Sequence, residues 1–190
     1  SSAASCRATA APIDVLIHNA VIYLTKRELT AEGFDTMFVV HHLAPFVINV
    51  LLGETLKSRP GTRIILVNSE GHRFAPWGLQ YDDLNWEKRR YSGLKSYGSA
   101  KLAQLQTMLL FDAYFRSSGV TINAMHPGAV QSETGQENGV FYRWVKRNLF
   151  DKILRPTEIS AEAIYWLAVS KEMEGVSGKF FNLTTAEEPA

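Results

Sequence analysis

Four short apolar runs punctuate the chain: residues 13–17 (IDVLI), 62–67 (TRIILV), 120–125 (VTINAM) and 179–183 (KFFNL). Each is close to continuous rather than alternating, the pattern of a strand covered on both faces in a parallel sheet. Between them lie longer stretches with apolar positions at helical spacing. These are residues 33–56, 96–115 (through Leu102, Leu105, Met108, Leu109 and Ala113) and 157–169, the last with Pro156 leading into Thr157 at the N-cap position. The most apolar part of the first, residues 38–52, reads as a buried helix. Strands alternating with helices of these lengths predict right-handed βαβ crossovers and an α/β doubly wound parallel sheet.

Two segments carry neither period: residues 71–91, rich in Pro, Gly and Trp, and residues 131–154. Both follow the carboxyl end of a predicted strand, where open α/β sheets bind ligands, so both are candidate substrate loops. Plain surface insertions are the competing reading. No internal repeat, low-complexity tract or linker divides the chain, and residues 1–190 are expected to form one domain.

Composition narrows the partners. The formal charge is +1 and the basic residues are scattered, which offers no footprint for nucleic acid or an anionic membrane and favours a small neutral substrate. Cys6 has no cysteine to pair with, and no apolar run reaches the length of a membrane span, so a reducing, cytoplasmic setting is expected. His41 and His42 are adjacent and point to different helix faces, and no tight ligand spacing exists elsewhere, so no metal is expected.

The chemistry lies in Tyr97-Gly98-Ser99-Ala100-Lys101, which sets a phenol and an ammonium one helical turn apart on one face. Seven tyrosines and nine lysines make chance matches common, and Tyr91/Lys95 and Tyr142/Lys146 share the spacing. Context separates them. Only Tyr97/Lys101 opens a long amphipathic helix running into a buried strand that ends in His126-Pro127-Gly128, whereas Gly93 breaks the Tyr91/Lys95 pair in a loop.

At these residues nearly the whole chain resembles the short-chain dehydrogenase/reductase family, within its retinol-dehydrogenase and WW-domain oxidoreductase branch. Residues 13–21, ending His18-Asn19-Ala20-Val21, resemble the family's strand-four motif, and residues 65–74 resemble its strand-five segment, with Ser69 in the place of the catalytic serine. Tyr97 and Lys101 match the catalytic pair. Residues 126–132 are similar to the motif after strand six, with Ser132 where threonine is usual.

The resemblance implies a Rossmann-type fold and NADP (or NAD) as cofactor. It also implies cofactor contacts from Asn19, Ala20, Tyr97, Lys101, Pro127, Gly128, Val130 and Ser132. Tyr97 becomes the general acid/base, Lys101 the cation that lowers its pKa, and Ser69 the donor to the substrate oxygen. The substrate is a lipophilic alcohol, aldehyde or ketone, in keeping with Phe74, Trp77, Trp86, Phe141, Tyr142 and Trp144 in the two loops. The oligomeric state is left open.

Two departures qualify this. His41, in His41-His42-Leu43-Ala44, occupies the place of the family's relay asparagine, where an imidazole that holds a water makes proton traffic depend on pH near 6.5. A packing histidine is the plainer reading. No G-x-G occurs anywhere, so strands one to three, with the phosphate loop and the residues that choose NAD or NADP, are expected to be missing. The chain alone is then expected to bind dinucleotides at millimolar affinity or weaker. A truncated, non-catalytic binding or regulatory protein is the alternative function. A serine hydrolase built on Ser69-Glu70-Gly71 is weaker, because Asn68 and Val67 break the nucleophile-elbow motif, and Gly71, Pro76 and Gly78 argue against a helix after the serine.

Overall fold

A computed structural model describes residues 12–128 and 157–187. Its sheet has the strand order β1-β2-β3-β4-β5, where β1 is Val15–His18, β2 Arg63–Val67, β3 Thr121–His126, β4 Phe180–Asn182 and β5 Thr185–Glu187. The first four are parallel, and each matches a predicted apolar run to within two residues at either end. The fifth strand is a correction. It turns back antiparallel on β4, and its residues are exposed or half-buried, so no apolar run marked it.

Continuous apolar strands imply cover on both faces, and that is what they have. Ile64 and Leu66 of β2, with Ile122 and Ala124 of β3, pack beneath Leu105, Met108, Phe111 and Phe115. Those four belong to the long helix α4, Gly93–Phe115. Ile65, Val67 and Met125 face the other way, onto Ala163 and Leu167 of α5, Thr157–Val169. Alternate residues of one strand thus feed two cores, the signature of a doubly wound sheet.

The predicted helix 33–56 is not one helix. It divides into α1 (Thr36–Phe38), a wide turn over Val39–Leu43, α2 (Ala44–Leu51) and α3 (Gly53–Lys57). Asp35 caps α1 through its carboxylate, which accepts from the Phe38 amide at 2.9 Å. Pro45 accounts for the wide turn: it has no N–H to donate, and its ring crowds the carbonyl four residues back, that of His41. The Ala44 amide reaches Val39 instead, five residues back. Nor is residues 38–52 a buried span, for Phe46, Val47, Ile48, Val50 and Leu51 are exposed, and Phe38, His41, Pro45 and Asn49 form the covered face. No helix among the described residues is long and apolar enough to cross a membrane.

Candidate active site

The parallel strands all end on one side of the sheet, and the predicted chemistry gathers there. Asn19 and Ala20 follow β1, Asn68 and Ser69 follow β2, and Pro127 and Gly128 follow β3. Helix α4 starts three residues earlier than expected, at Gly93, and brings Tyr97 and Lys101 against the end of β2.

Asn68, which sequence reasoning treated only as a break in a hydrolase motif, is the organising residue. Its amide nitrogen donates to the Lys101 carbonyl at 3.0 Å and to Gln104 Oε1 at 2.7 Å, and its Oδ1 accepts from the Ser69 amide at 2.7 Å. Helix and strand end are thereby joined through one buried side chain. Gln104 was missed too; a buried amide one turn beyond Lys101 on an otherwise apolar helix face was the available signal.

Ser69 caps a short 3-10 turn, Glu70–Phe74, that the glycines and proline of this segment had argued against. The turn ends before Pro76. Ser69 Oγ accepts from the Gly71 amide at 3.0 Å, the local role expected of an ordinary strand-end serine. That contact leaves the hydroxyl hydrogen to point away, and Ser69 also hydrogen-bonds the Tyr97 phenol.

Tyr97 is partly buried within a close cage. The rings of Tyr23 and His41 meet it edge-on at centroid distances of 5.8 and 5.1 Å. Gly71 lies so near that an added Cβ would come within 2.6 Å of the phenol ring. Burial pushes the phenol's pKa up and the Ser69 hydrogen bond opposes it.

Lys101 is buried, donates to the Val67 carbonyl at 2.8 Å, and has its Nζ 5.8 Å from the Tyr97 ring centre. Burial lowers its pKa to about 7. The expected depression of the phenol by the ammonium is therefore not the dominant effect in the chain by itself; desolvation governs both groups.

His41 joins the cluster, completely buried, with Nε2 2.8 Å from the Ile22 carbonyl oxygen. Burial first, and then the Lys101 charge, lower its pKa to about 3. A switch near pH 6.5 is thus overturned, because the ring stays neutral throughout that range.

The other tyrosine–lysine pairs do not compete. Tyr91 donates to the Leu24 carbonyl at 3.3 Å, while Lys95, inside α4 rather than in a loop, sits 4.6 Å over the Trp77 ring. Tyr142, Lys146, Val130 and Ser132 lie outside the described residues.

No protein-family profile matches the chain. Retinol dehydrogenase 13 of Homo sapiens is 33% identical over 182 residues, covering 94% of this chain and 54% of the relative. The WW domain-containing oxidoreductase of Danio rerio is 30% identical over 185 residues, covering 93% and 44%. The chain belongs to the short-chain dehydrogenase/reductase family. It spans about half the length of these curated relatives. The fold of this short-chain dehydrogenase/reductase chain matches that of the NADPH-bound carbonyl reductase from chicken fatty liver with a TM-score of 0.65 at 20% identity, over 98% of this chain and 70% of the other. Ser69, Tyr97 and Lys101, the residues that the resemblance singled out, lie together, with His41 against the Tyr97 ring.

Proposed function

We propose that the chain supplies the catalytic half of an NAD(P)-dependent oxidoreductase that interconverts a lipophilic alcohol with its aldehyde or ketone. The observation that carries this reading is the convergence of Ser69, Tyr97 and Lys101 at the carboxyl ends of parallel strands, joined through Asn68. The relatives' names, retinol dehydrogenases among them, support the same chemistry.

The residues fit the nicotinamide end of a dinucleotide. Asn19 and Ala20 are exposed beyond β1, Pro127 and Gly128 follow β3 at the same end of the sheet, and the Lys101 ammonium has protons beyond the one given to Val67. Val130 and Ser132 belong to the same proposed contact set. The dinucleotide, when bound, takes up or delivers the hydride.

The chain's own work is proton handling. In reduction Tyr97 gives its phenolic proton to the carbonyl oxygen as the alcohol forms; in oxidation it takes that proton back. Ser69, its oxygen occupied by the Gly71 amide, turns its hydrogen toward that oxygen and fixes its place. Lys101 in its charged form favours the phenolate.

Exposed Phe74 and Trp77 beside the Ser69 turn favour a lipophilic substrate. Trp86 does not contribute: it is buried and packs under Arg89, whose guanidinium lies 3.9 Å from its ring.

The test is turnover of a panel of lipophilic alcohols and aldehydes by the protein carrying this chain, with each dinucleotide, followed by nicotinamide absorbance. Turnover that collapses in Tyr97→Phe supports the assignment. A folded protein with no turnover on any pair, or full activity in Tyr97→Phe, sinks it.

A further inference from the structure

Every polar atom of Ser69 is held. Its amide donates to Asn68 Oδ1 at 2.7 Å, its Oγ accepts from the Gly71 amide at 3.0 Å, and its carbonyl oxygen accepts twice from one residue, His72. The His72 amide reaches that oxygen at 3.2 Å, the long bond of a 3-10 turn, whereas ring nitrogen Nδ1 reaches it at 2.7 Å. A carbonyl can only accept, so Nδ1 carries a hydrogen. His72 is 1% exposed, and away from water the shorter bond is the stronger restraint on Ser69.

The imidazole is itself fixed. Its ring meets Phe180 of β4 edge-on at a centroid distance of 5.2 Å, and Phe180 is buried in the core beneath α4. Asn68 thus ties Ser69 to α4, and His72 ties it to β4. The turn between them has little slack, because a Cβ on Gly71 would meet the Tyr97 ring at 2.6 Å. A histidine buried for packing alone would need the ring and not the bond.

We propose that His72 is a positioning residue for Ser69. By holding the Ser69 carbonyl, its ring sets the peptide plane from which Oγ projects, and with it the direction of the hydroxyl hydrogen. His72 acts through Ser69 and exchanges no proton with substrate. Its purpose rests on the dehydrogenase reading, in which a displacement of about 1 Å at a group that orients substrate costs on the order of a hundredfold.

Two variants separate the bond from the packing. His72→Asn sets an amide nitrogen near the Nδ1 position and keeps the donor without the ring, whereas His72→Phe keeps a ring against Phe180 without the donor. In the protein carrying this chain, His72→Phe should lower kcat roughly tenfold or more with KM within about threefold, and His72→Asn should hold kcat within about threefold of the parent. In a Ser69→Ala background, His72→Phe should cost nothing further, since the two residues act as one unit. Equal losses in the two variants, no loss in His72→Phe, or a full additional loss in the Ser69→Ala background overturns the proposal.

A second measurement needs neither substrate nor dinucleotide. The Gly71 amide, bonded to Ser69 Oγ, should exchange with solvent roughly tenfold faster in His72→Phe and at the parent rate in His72→Asn. Parent rates in both variants end the proposal. The expected exchange pattern in a protein that turns over no alcohol or carbonyl would leave this inference standing while the proposed reaction fell. Should a variant fail to fold, 15N-histidine resonances of the parent decide: a protonated, hydrogen-bonded Nδ1 on His72 supports the proposal, and a bare one overturns it.

Discussion

At the scale of residues, the site is a set of groups whose ordinary titration is displaced by burial. On the proposed reaction Tyr97→Phe removes the hydroxyl that exchanges a proton with substrate and should lower turnover at least about a hundredfold. Tyr91→Phe, which loses a bond to the Leu24 carbonyl outside the cluster, should retain most activity; steady-state rates on the same substrate compare the two. Lys101 makes a prediction about stability. Its ammonium is neutral in the folded chain above about pH 7, whereas in the unfolded chain it stays charged until about 10.4. Between those values the unfolded state binds the extra proton, so stability should rise with pH, by at most about 1.4 kcal/mol per pH unit. Urea unfolding at pH 7, 8 and 9 measures the slope, and Lys101→Met should flatten it. The buried histidines set the acid side. His41, down at about 3, and His42, at about 4, stay neutral in the fold while their unfolded counterparts charge below about 6.5, so stability present above that pH is lost as it falls toward 4.

At the scale of elements, the alignment of Ser69 with Tyr97 depends on how closely α4 lies on the 3-10 turn Glu70–Phe74. Gly98 is the point of approach: a Cβ there would stand 2.8 Å from the Gly71 carbonyl oxygen and 2.9 Å from Phe74 Cβ. Alanine is the better helix former, yet here the obstacle is largely backbone and cannot swing aside. Gly98→Ala should therefore destabilise the chain by about 1–3 kcal/mol despite its gain in propensity. It should also lower turnover more than substrate affinity, since the turn carries Ser69. Denaturant midpoints and a kcat against KM comparison read the two effects. A stabilised, fully active variant would show that helix and turn can separate without consequence.

At the scale of the molecule, the sheet is unevenly protected. Among the described residues β1 pairs with β2 alone, and Ile17 is 42% exposed, whereas β2 lies between two strands with Ile64 and Ile65 each 1% exposed. Amides of β1 should exchange with solvent roughly tenfold or more faster than those of β2 and β3, as marginal elements open ahead of the core. Hydrogen-exchange mass spectrometry on peptides covering the three strands tests this, and equal protection would mean that β1 has a second partner. Alternate residues of β1 to β4 face the two cores, so a change at Ile64 is felt on the α4 face and one at Ile65 on the α5 face.

Much of this protein follows from the order of its residues. The four parallel strands, the helices over 96–115 and 157–169, and the pairing of Tyr97 with Lys101 are local matters, legible because apolar periodicity and a four-residue spacing map directly onto strands and helix faces. Ser69 was placed by its position at a strand end. What the sequence could not carry depends on groups far apart in the chain. Asn68 gains its meaning only when Lys101 and Gln104 arrive beside it, Trp86 is buried by packing that no loop composition reveals, and β5 exists because β4 offers it an edge. The state of His41 is the clearest case. An imidazole on a helix titrates near 6.5 by default, and only enclosure by Ile22, Tyr97 and Lys101 strips it of solvent and holds it neutral, since the cost of burying a charge is a property of surroundings and not of sequence.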